Sequence, residues 1–382
     1  MNIVNICNKV YTDNWGYQEN ILPVYEAKMG HRVSVIASAN HFPSYVSSSL
    51  KEEIKSKGKD YHIGDVVIHR RNTYIETGNL SLICSGIYRI LKKEAPNIIF
   101  HHNINPSSLI ICFFYCIFNS KCKLFVDNHA DSINESTNKI INYIIKSVII
   151  RIILRIIDFK IVRYYGVTPA RCSYLKNVYG VREKKISLLP IGCDTDEVEA
   201  NNIDVSQLSE LYHIPENSFI ICSGGKMGRD KGTNNLINAF VKFHEETPTA
   251  ALLLFGKFED EETSVLANQT SGVYFAGWCD RTHTIGILKN SNLAVWPVHH
   301  TTLIEDAISC QTPIIVRRTG NTSHLIKGNG EFVETGSVDE LNVFFHKIKE
   351  EFPFYKKNAY NLSKELSYVN IVERLICDYK KF

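Results

Sequence analysis

Short apolar runs alternate with longer amphipathic stretches along almost the whole chain, and this alternation stops and restarts once. Runs at Ile3–Cys7, Val33–Ala37, Val66–His69, Ile98–His101, Leu124–Asp127, Phe159–Arg163 and Ile186–Leu189 read as strands. Helical stretches such as Gln18–Met29, Ser81–Lys93 and Thr137–Ile156 lie between several of them. Strands buried on both faces and joined by crossover helices produce this pattern. After Pro190-Ile191-Gly192-Cys193-Asp194 a polar, acidic stretch runs to about Ser209. Strands then resume at Phe219–Ser223, Ala251–Phe255, Val273–Ala276, Leu293–Trp296 and Pro313–Val316. At 382 residues the chain is too long for one ordinary core. The restart predicts an α/β protein with two Rossmann-like, doubly wound domains over residues 1–195 and 196–360. Residues 361–382 read as a helical segment and are a candidate to pack back on the first domain.

Composition narrows the class. Hydrophobic residues make up 44% of the chain and charged residues 22%, as in an ordinary folded protein. The 43 basic residues face 40 acidic ones, and a net charge of +3 argues against a nucleic-acid partner. Eleven cysteines are present without a Cys-x-x-Cys pair. Cys112 and Cys116 lie in an apolar run, with Cys122 nearby, and read as core thiols; neither a disulfide framework nor a zinc site follows. Reduced thiols predict a cytoplasmic protein. Asn2-Ile3-Val4-Asn5-Ile6-Cys7 reads as a first strand and not as a secretory leader. Ser108–Phe118 is apolar but only 11 residues long, and Ile140–Ile157 is interrupted by Lys146, Arg151 and Arg155, so neither reads as a membrane span. At helical spacing Ser147, Arg151, Arg155 and Asp158 share one narrow face, and most of the remainder is Ile, Val or Leu. Such a helix is either buried against the sheet or set peripherally into an anionic membrane surface.

Open parallel sheets bind ligands beyond the carboxyl ends of their strands, so the chemistry is sought in strand-to-helix loops. Ser223-Gly224-Gly225-Lys226-Met227-Gly228-Arg229-Asp230-Lys231-Gly232 follows a strand and opens a helix near Thr233. Glycines let backbone approach a ligand, a helix start offers N–H groups to an anion, and three cations suit a diphosphate. The stretch is neither a P-loop nor a dinucleotide fingerprint, and a solvated basic turn is the plain alternative. Trp296-Pro297-Val298-His299-His300-Thr301-Thr302-Leu303-Ile304-Glu305 leaves another strand and enters a helix. Thr302 and Glu305 stand as Thr-x-x-Glu, so Glu305 reads equally as a capping-box residue or as a ribose ligand. In the first half, Asp13-Asn14-Trp15-Gly16-Tyr17-Gln18-Glu19-Asn20 fills the first strand-to-helix loop, and Asp127-Asn128-His129-Ala130-Asp131 ends a later strand. A histidine between carboxylates suits proton transfer, or merely a bond to local backbone. His101 and His102 are adjacent on a strand and so point to opposite faces, which argues against a shared metal. Asp194-Thr195-Asp196 is an Asp-x-Asp at the domain boundary, away from a strand end, and does not read as a metal site.

Taken together these loops resemble the retaining GT-B glycosyltransferases of the "glycosyl transferases group 1" family, of the bacterial surface-polysaccharide type. Tyr17-Gln18-Glu19-Asn20-Ile21-Leu22 leading to Gly30-His31-Arg32-Val33 is similar to the family's opening helix and second strand. Leu188-Leu189-Pro190-Ile191-Gly192-Cys193-Asp194 resembles its Pro-x-Gly-x-Asp hinge. Phe275-Ala276-Gly277-Trp278 and Pro297…Glu305-Asp306-Ala307…Pro313 follow in the family's order.

The resemblance implies two domains facing a central cleft and a donor diphosphate held by Lys226 and Lys231 after Gly225, with Arg229 a bystander. It matches Glu305 to the ribose-binding glutamate. The family's other glutamate, with seven residues between the two, would fall at Pro297 and is absent; His299, His300, Thr301 and Thr302 occupy the remaining space, and the last three join the expected donor contacts. Gly16 matches the glycine that approaches the donor phosphate, and His129 a histidine near the reacting sugar. Tyr17, Gln18 and Asp131 are the expected acceptor contacts. The implied reaction transfers a sugar from a nucleoside diphosphate, UDP favoured, to a saccharide or lipid-linked hydroxyl with retention, in surface-polysaccharide (O-antigen or capsule) synthesis. Lys226, Lys231 and helix-start N–H groups would stabilise the leaving diphosphate without a metal or other cofactor. A sugar-nucleotide epimerase of the same fold and a non-catalytic glycosyltransferase-like subunit are the alternatives.

Overall fold

The computed structural model describes residues 1–7, 9, 11, 16–40, 42, 46–77, 80–83, 86–131 and 143–382. Asp13, Asn14 and Trp15 of the first loop, and residues 137–142 of the expected helix Thr137–Ile156, lie outside the described residues. The chain forms two compact units, Met1–Pro190 with Ile371–Phe382, and Ile191–Asn370.

The division therefore falls at Pro190–Ile191 and not after residue 195, for a visible reason. Ile186–Leu188 is the last strand of the first sheet, whereas Cys193 is already tied into the second unit. Its N–H donates to Leu366 O at 2.7 Å, and its carbonyl accepts from Tyr368 N at 3.1 Å. Asp194 caps the helix Thr195–Ala200 by accepting from Glu197 N at 3.2 Å, so half of the Asp-x-Asp is a helix cap. The end of the chain rejoins the first unit within the helix Tyr368–Lys381. There Tyr165 Oη donates to Asp378 Oδ2 at 2.7 Å, Lys123 Nζ donates to Tyr379 O at 3.2 Å, and the Phe125 and Tyr379 rings lie 4.6 Å apart.

Among the described residues the first unit holds an eight-stranded sheet. Its spatial order is Ile186–Leu188, Ile161–Gly166, Lys123–Asn128, Ile98–His101, Asn2–Ile6, Arg32–Ser38, Val66–Arg71 and Asp60–Ile63. Every pairing is parallel except the last, where Asp60–Ile63 runs antiparallel along the edge. That polar strand, with Asp60 and His62 exposed, carries no apolar run to find in the sequence and suits an edge. The expected helix Ser81–Lys93 is shorter. Leu80–Ile83 is a strand paired antiparallel with Thr73–Thr77, and the helix spans only Ile87–Glu94. Gly86 precedes it at φ 75°, a left-handed turn that stops the helix from extending backwards.

The second unit holds a six-stranded, wholly parallel sheet among the described residues. Its order is Val273–Phe275, Ala250–Phe258, Phe219–Met227, Leu293–Trp296, Ile314–Arg317 and Gly330–Val333. Buried Ile, Leu, Val and Phe pack on both faces of this sheet, as a parallel sheet requires. Phe219–Met227 runs past the expected end at Ser223, pairing Gly225 with Gly256 and Lys226 with Lys257. Glycine permits this. A Cβ on Gly256 (φ 112°) would lie 2.1 Å from Gly225 O, and one on Gly224 would lie 2.2 Å from the Phe255 ring.

Candidate functional site

In the second unit the strand Leu293–Trp296 lies parallel beside Phe219–Met227 and ends level with Gly224, and the segments that follow pack together. Trp296 Nε1 donates to Gly224 O at 3.1 Å. A Cβ on Gly225 would touch Leu303 at 3.4 Å, and one on Gly232 (φ 76°) would lie 2.7 Å from Val298 and 3.0 Å from Pro297. Glycine at these positions keeps the first loop pressed against the start of the second. Gly232 then opens the helix Thr233–Glu246 with no side-chain cap.

The cations of the first loop differ in setting. Lys226 belongs to the strand and not to the loop; its side chain is 75% exposed, 3.4 Å from Glu259. Lys231 ends the short turn Arg229–Lys231, is 31% exposed, and pairs with Asp230 at 2.8 Å. Arg229 is 78% exposed and lies 3.7 Å from Glu262.

Glu305 is not a cap. Thr302 precedes the helix Leu303–Ser309 in a helical conformation and makes no side-chain capping bond. Glu305 instead turns its carboxylate to His300, whose Nε2 lies 2.8 Å from Oε1. Its other oxygen, Oε2, is buried with no hydrogen-bond partner among the described residues. Burial pushes this carboxyl up, but His300 more than offsets it and holds it below the usual range. A buried, charged oxygen left unbonded is costly, so this position calls for a hydrogen-bond donor. Thr301 Oγ1 accepts from Leu303 N at 3.5 Å, so His300, Thr301, Thr302 and Glu305 form one helix entrance. The helix is braced from its far side by Arg281, which pairs with Asp306 and with Glu197 at 2.6 Å each.

In the first unit a buried hydrogen-bond chain ends at His129. Glu26 Oε2 accepts from Asn5 Nδ2 at 2.6 Å, and Asn5 Oδ1 lies 3.2 Å from His102 Nε2. His102 Nδ1 lies 2.9 Å from Asp127 Oδ2, which also lies 3.1 Å from His129 Nε2. Asp127 Oδ1 accepts from Asn103 N at 2.6 Å. Burial pushes Asp127 up, but the two histidines prevail and hold it far below the carboxylate range; burial pulls His129 down, but Asp127 prevails and lifts it above the usual histidine range. Burial raises Glu26 to about 8. Asp127 thus favours the protonated form of His129, with Glu19 contributing to the same field.

His101 and His102 do diverge: His101 binds Ser108 Oγ at 2.8 Å and Asn103 O at 2.7 Å. Yet His102, Asp127 and His129 bring their ligand atoms within 4.8 Å of one another, a grouping able to hold a metal ion. Of the expected acceptor residues, Tyr17 precedes the helix Gln18–Lys28 and is 38% exposed. Gln18 is buried, and both its amide atoms lack hydrogen-bond partners among the described residues. Asp131 is buried 3.6 Å from Arg171 Nε. Gly16 stands partly buried just before Tyr17.

Residues 205–361 match the family model described as glycosyl transferases group 1. The chain is 26% identical over 179 residues to the capsular polysaccharide biosynthesis glycosyltransferase CapM of Staphylococcus aureus, covering 44% of this chain and 47% of that protein. It spans about half the length of the curated relatives it matches. Among solved structures it resembles HepE of Anabaena in complex with UDP, with TM-score 0.71, 14% identity and full coverage of both chains. It also resembles the UDP-GlcNAc 2-epimerase of Neisseria meningitidis bound to UDP-GlcNAc, with TM-score 0.65, 13% identity and full coverage of both.

Proposed function

We propose that this chain, whose residues 205–361 are a glycosyl transferases group 1 domain in a protein of GT-B fold, moves a sugar from a nucleoside diphosphate to an acceptor hydroxyl with retention. Glu305 is the observation that carries the reading: a buried carboxylate, oriented by His300, with one oxygen left for a ribose hydroxyl. Lys226, near the end of the neighbouring strand, and Lys231, in the loop that follows it, meet the diphosphate as charge builds on it. His129, oriented by Asp127, serves the reacting sugar from the first unit. No cofactor takes part, UDP is the favoured nucleotide, and the acceptor is a saccharide or lipid-linked sugar of a surface polysaccharide. CapM, named for capsule synthesis, supports that setting.

Calorimetric titration with UDP, GDP and ADP tests the donor, and release of nucleotide in the presence of EDTA tests metal independence. Loss of turnover in EDTA would turn attention to His102, Asp127 and His129. Glu305→Gln should weaken UDP binding roughly tenfold, because an amide bonds a hydroxyl less strongly than a carboxylate does. The helix should remain, since its start does not rest on that side chain. Unchanged affinity would leave Glu305 as a partner of His300 alone. Because an epimerase shares the fold, isomerised sugar nucleotide formed without any acceptor would favour that second reading.

The acceptor setting extends to a membrane surface. No helix among the described residues is long and apolar enough to cross a membrane. Tyr143–Ile150 is a π-helix continued by the α-helix Arg151–Ile157, which packs against Pro106–Phe118. Phe114, Phe118, Ile149, Ile152, Ile156 and Phe159 are exposed here, interleaved with exposed Arg151 and Arg155. Apolar side chains with cations at their border suit the interface of an anionic bilayer, at about 1 kcal/mol per charge, so binding is reversible. Wild type should sediment with anionic vesicles and Arg151→Glu/Arg155→Glu much less. Equal partitioning of the two would remove the membrane from this reading.

A further inference from the structure

At the edge of the first sheet, lined by none of the proposed donor or acceptor residues, lies a cavity of about 710 Å³. Lys59, Arg70, Arg71, Arg89 and Lys93 line it, against the single carboxylate of Asp60. Five cations face one carboxylate here, in a chain whose 43 basic residues are otherwise nearly balanced by 40 acidic ones.

The cations are poorly neutralised. Arg70 is 3% exposed, and its partners are neutral oxygens. It donates to Ile54 O, to Tyr61 Oη at 2.6 Å and to Tyr11 O at 3.4 Å, and its guanidinium lies 4.5 Å from the centre of the Tyr61 ring. Its Nε is buried without an acceptor among the described residues. A buried guanidinium without a counter-anion is expensive, and an anion brought into the cavity relieves it. Lys59 and Arg89 pair with no carboxylate among the described residues. Arg71 shares Asp60 with His69, at 3.2 and 2.6 Å, and Lys93 reaches Glu94 only at 3.8 Å. Arg89 and Lys93 are one helical turn apart on Ile87–Glu94 and both exposed, so they form the outer wall.

Arg89, Lys59 and Lys93 offer N–H donors to this space, and the Arg70 and Arg71 guanidiniums behind them add positive charge, a setting that matches an anion with several oxygens. The volume is that of a small-ligand pocket and not of a single ion.

We propose that this cavity binds a phosphoryl or pyrophosphoryl group, as a second anion site distinct from the one at Lys226 and Lys231. As the pyrophosphate of a lipid-linked acceptor it deepens the reading above and rests on it; as a free phosphate it does not. Both sources share the chemistry and are separated by the probe.

The test is calorimetric titration of the full chain with inorganic pyrophosphate in saturating UDP, for wild type and Arg89→Glu/Lys93→Glu. Both substituted residues are exposed, and UDP binding should be unchanged in the variant, which verifies its fold. Pyrophosphate affinity should fall by about tenfold or more, as two reversed charges at the wall imply, and in wild type should weaken as salt rises. Tighter binding of geranyl pyrophosphate than of inorganic pyrophosphate assigns the site to a lipid-linked group, and equal affinity assigns it to a free anion. Equal pyrophosphate binding by wild type and variant overturns the proposal. Absence of UDP binding, with this pyrophosphate site intact, overturns the donor reading instead and leaves the cavity standing.

Discussion

Lys231→Ala is expected to lower turnover on the order of a hundredfold while leaving the fold intact, the loss typical of a group that stabilises charge in the transition state. The pair it makes with Asp230 is at the surface, where such pairs contribute little to stability. A large catalytic loss without a shift in Tm therefore isolates the functional role. Lys226→Ala should behave alike, although its side chain is more exposed and must leave Glu259 to meet a diphosphate. Arg229→Ala is the internal control. Arg229 points its guanidinium toward Glu262, while its backbone N–H, which the substitution keeps, donates to Asp260 at 3.0 Å. Steady-state kinetics on the three variants decide the matter: a loss at Arg229 larger than at Lys231 would mean that the diphosphate lies further along the loop.

Asp127→Asn should be the most damaging single change in the first unit. Asp127 is fully buried and is the common partner of His102 and His129. Removing one partner of a buried ion pair costs about 3–5 kcal/mol, because the remaining charge is stranded. The pH dependence follows from the directions of the shifts. Asp127 is depressed in the folded state, so its stabilisation is present above the ordinary aspartate value of 3.8 and is lost as the pH falls toward the depressed value. His129 is raised, so its stabilisation is present below the ordinary histidine value of 6.5 and is lost as the pH rises through the raised one. The two overlap between those ordinary values, and stability against urea should be greatest there. In Asp127→Asn both limbs should flatten. Activity should also fall on the alkaline side at a lower pH than in wild type, because His129 then loses its proton more readily. An unshifted alkaline limb would show that the His129 proton plays no part in turnover.

Much of the architecture is legible in local pattern. Ile98–His101 and Leu293–Trp296 stand as strands residue for residue where the apolar runs lie, and most other runs shift by only a residue or so at their ends. A buried parallel strand must be apolar throughout, and such a run is visible in one dimension. The restart after Pro190 is visible for the same reason. Glycines at 225 and 232 mark backbone that must turn or come close, and they announce the loop between strand and helix before any fold is known.

Two strands are not legible. Asp60–Ile63 is polar and is decided by antiparallel pairing at the sheet edge, and Leu80–Ile83 runs into helix-like residues and is decided by its pairing with Thr73–Thr77. Sequence left Glu305 between two roles, because a cap and a ribose ligand require the same residue at the same spacing; only the helical conformation of Thr302 and the place of His300 withdraw the cap. The link between His102 and Asp127 was invisible, although its signal is simple in retrospect. Parallel register sets His101 opposite Val126, so the next residue on each strand meets its neighbour, and His102 falls against Asp127. The cations of the basic cavity are spread from residue 59 to residue 93 and look like ordinary surface charge until the sheet edge gathers them. Sequence by itself determined which segments are strands, which loops carry glycine and charge, and where one sheet ends and the next begins, since burial and backbone freedom are local demands. Tertiary structure alone decided which charges face one another, because register and crossover, not spacing along the chain, set the distances over which charges interact.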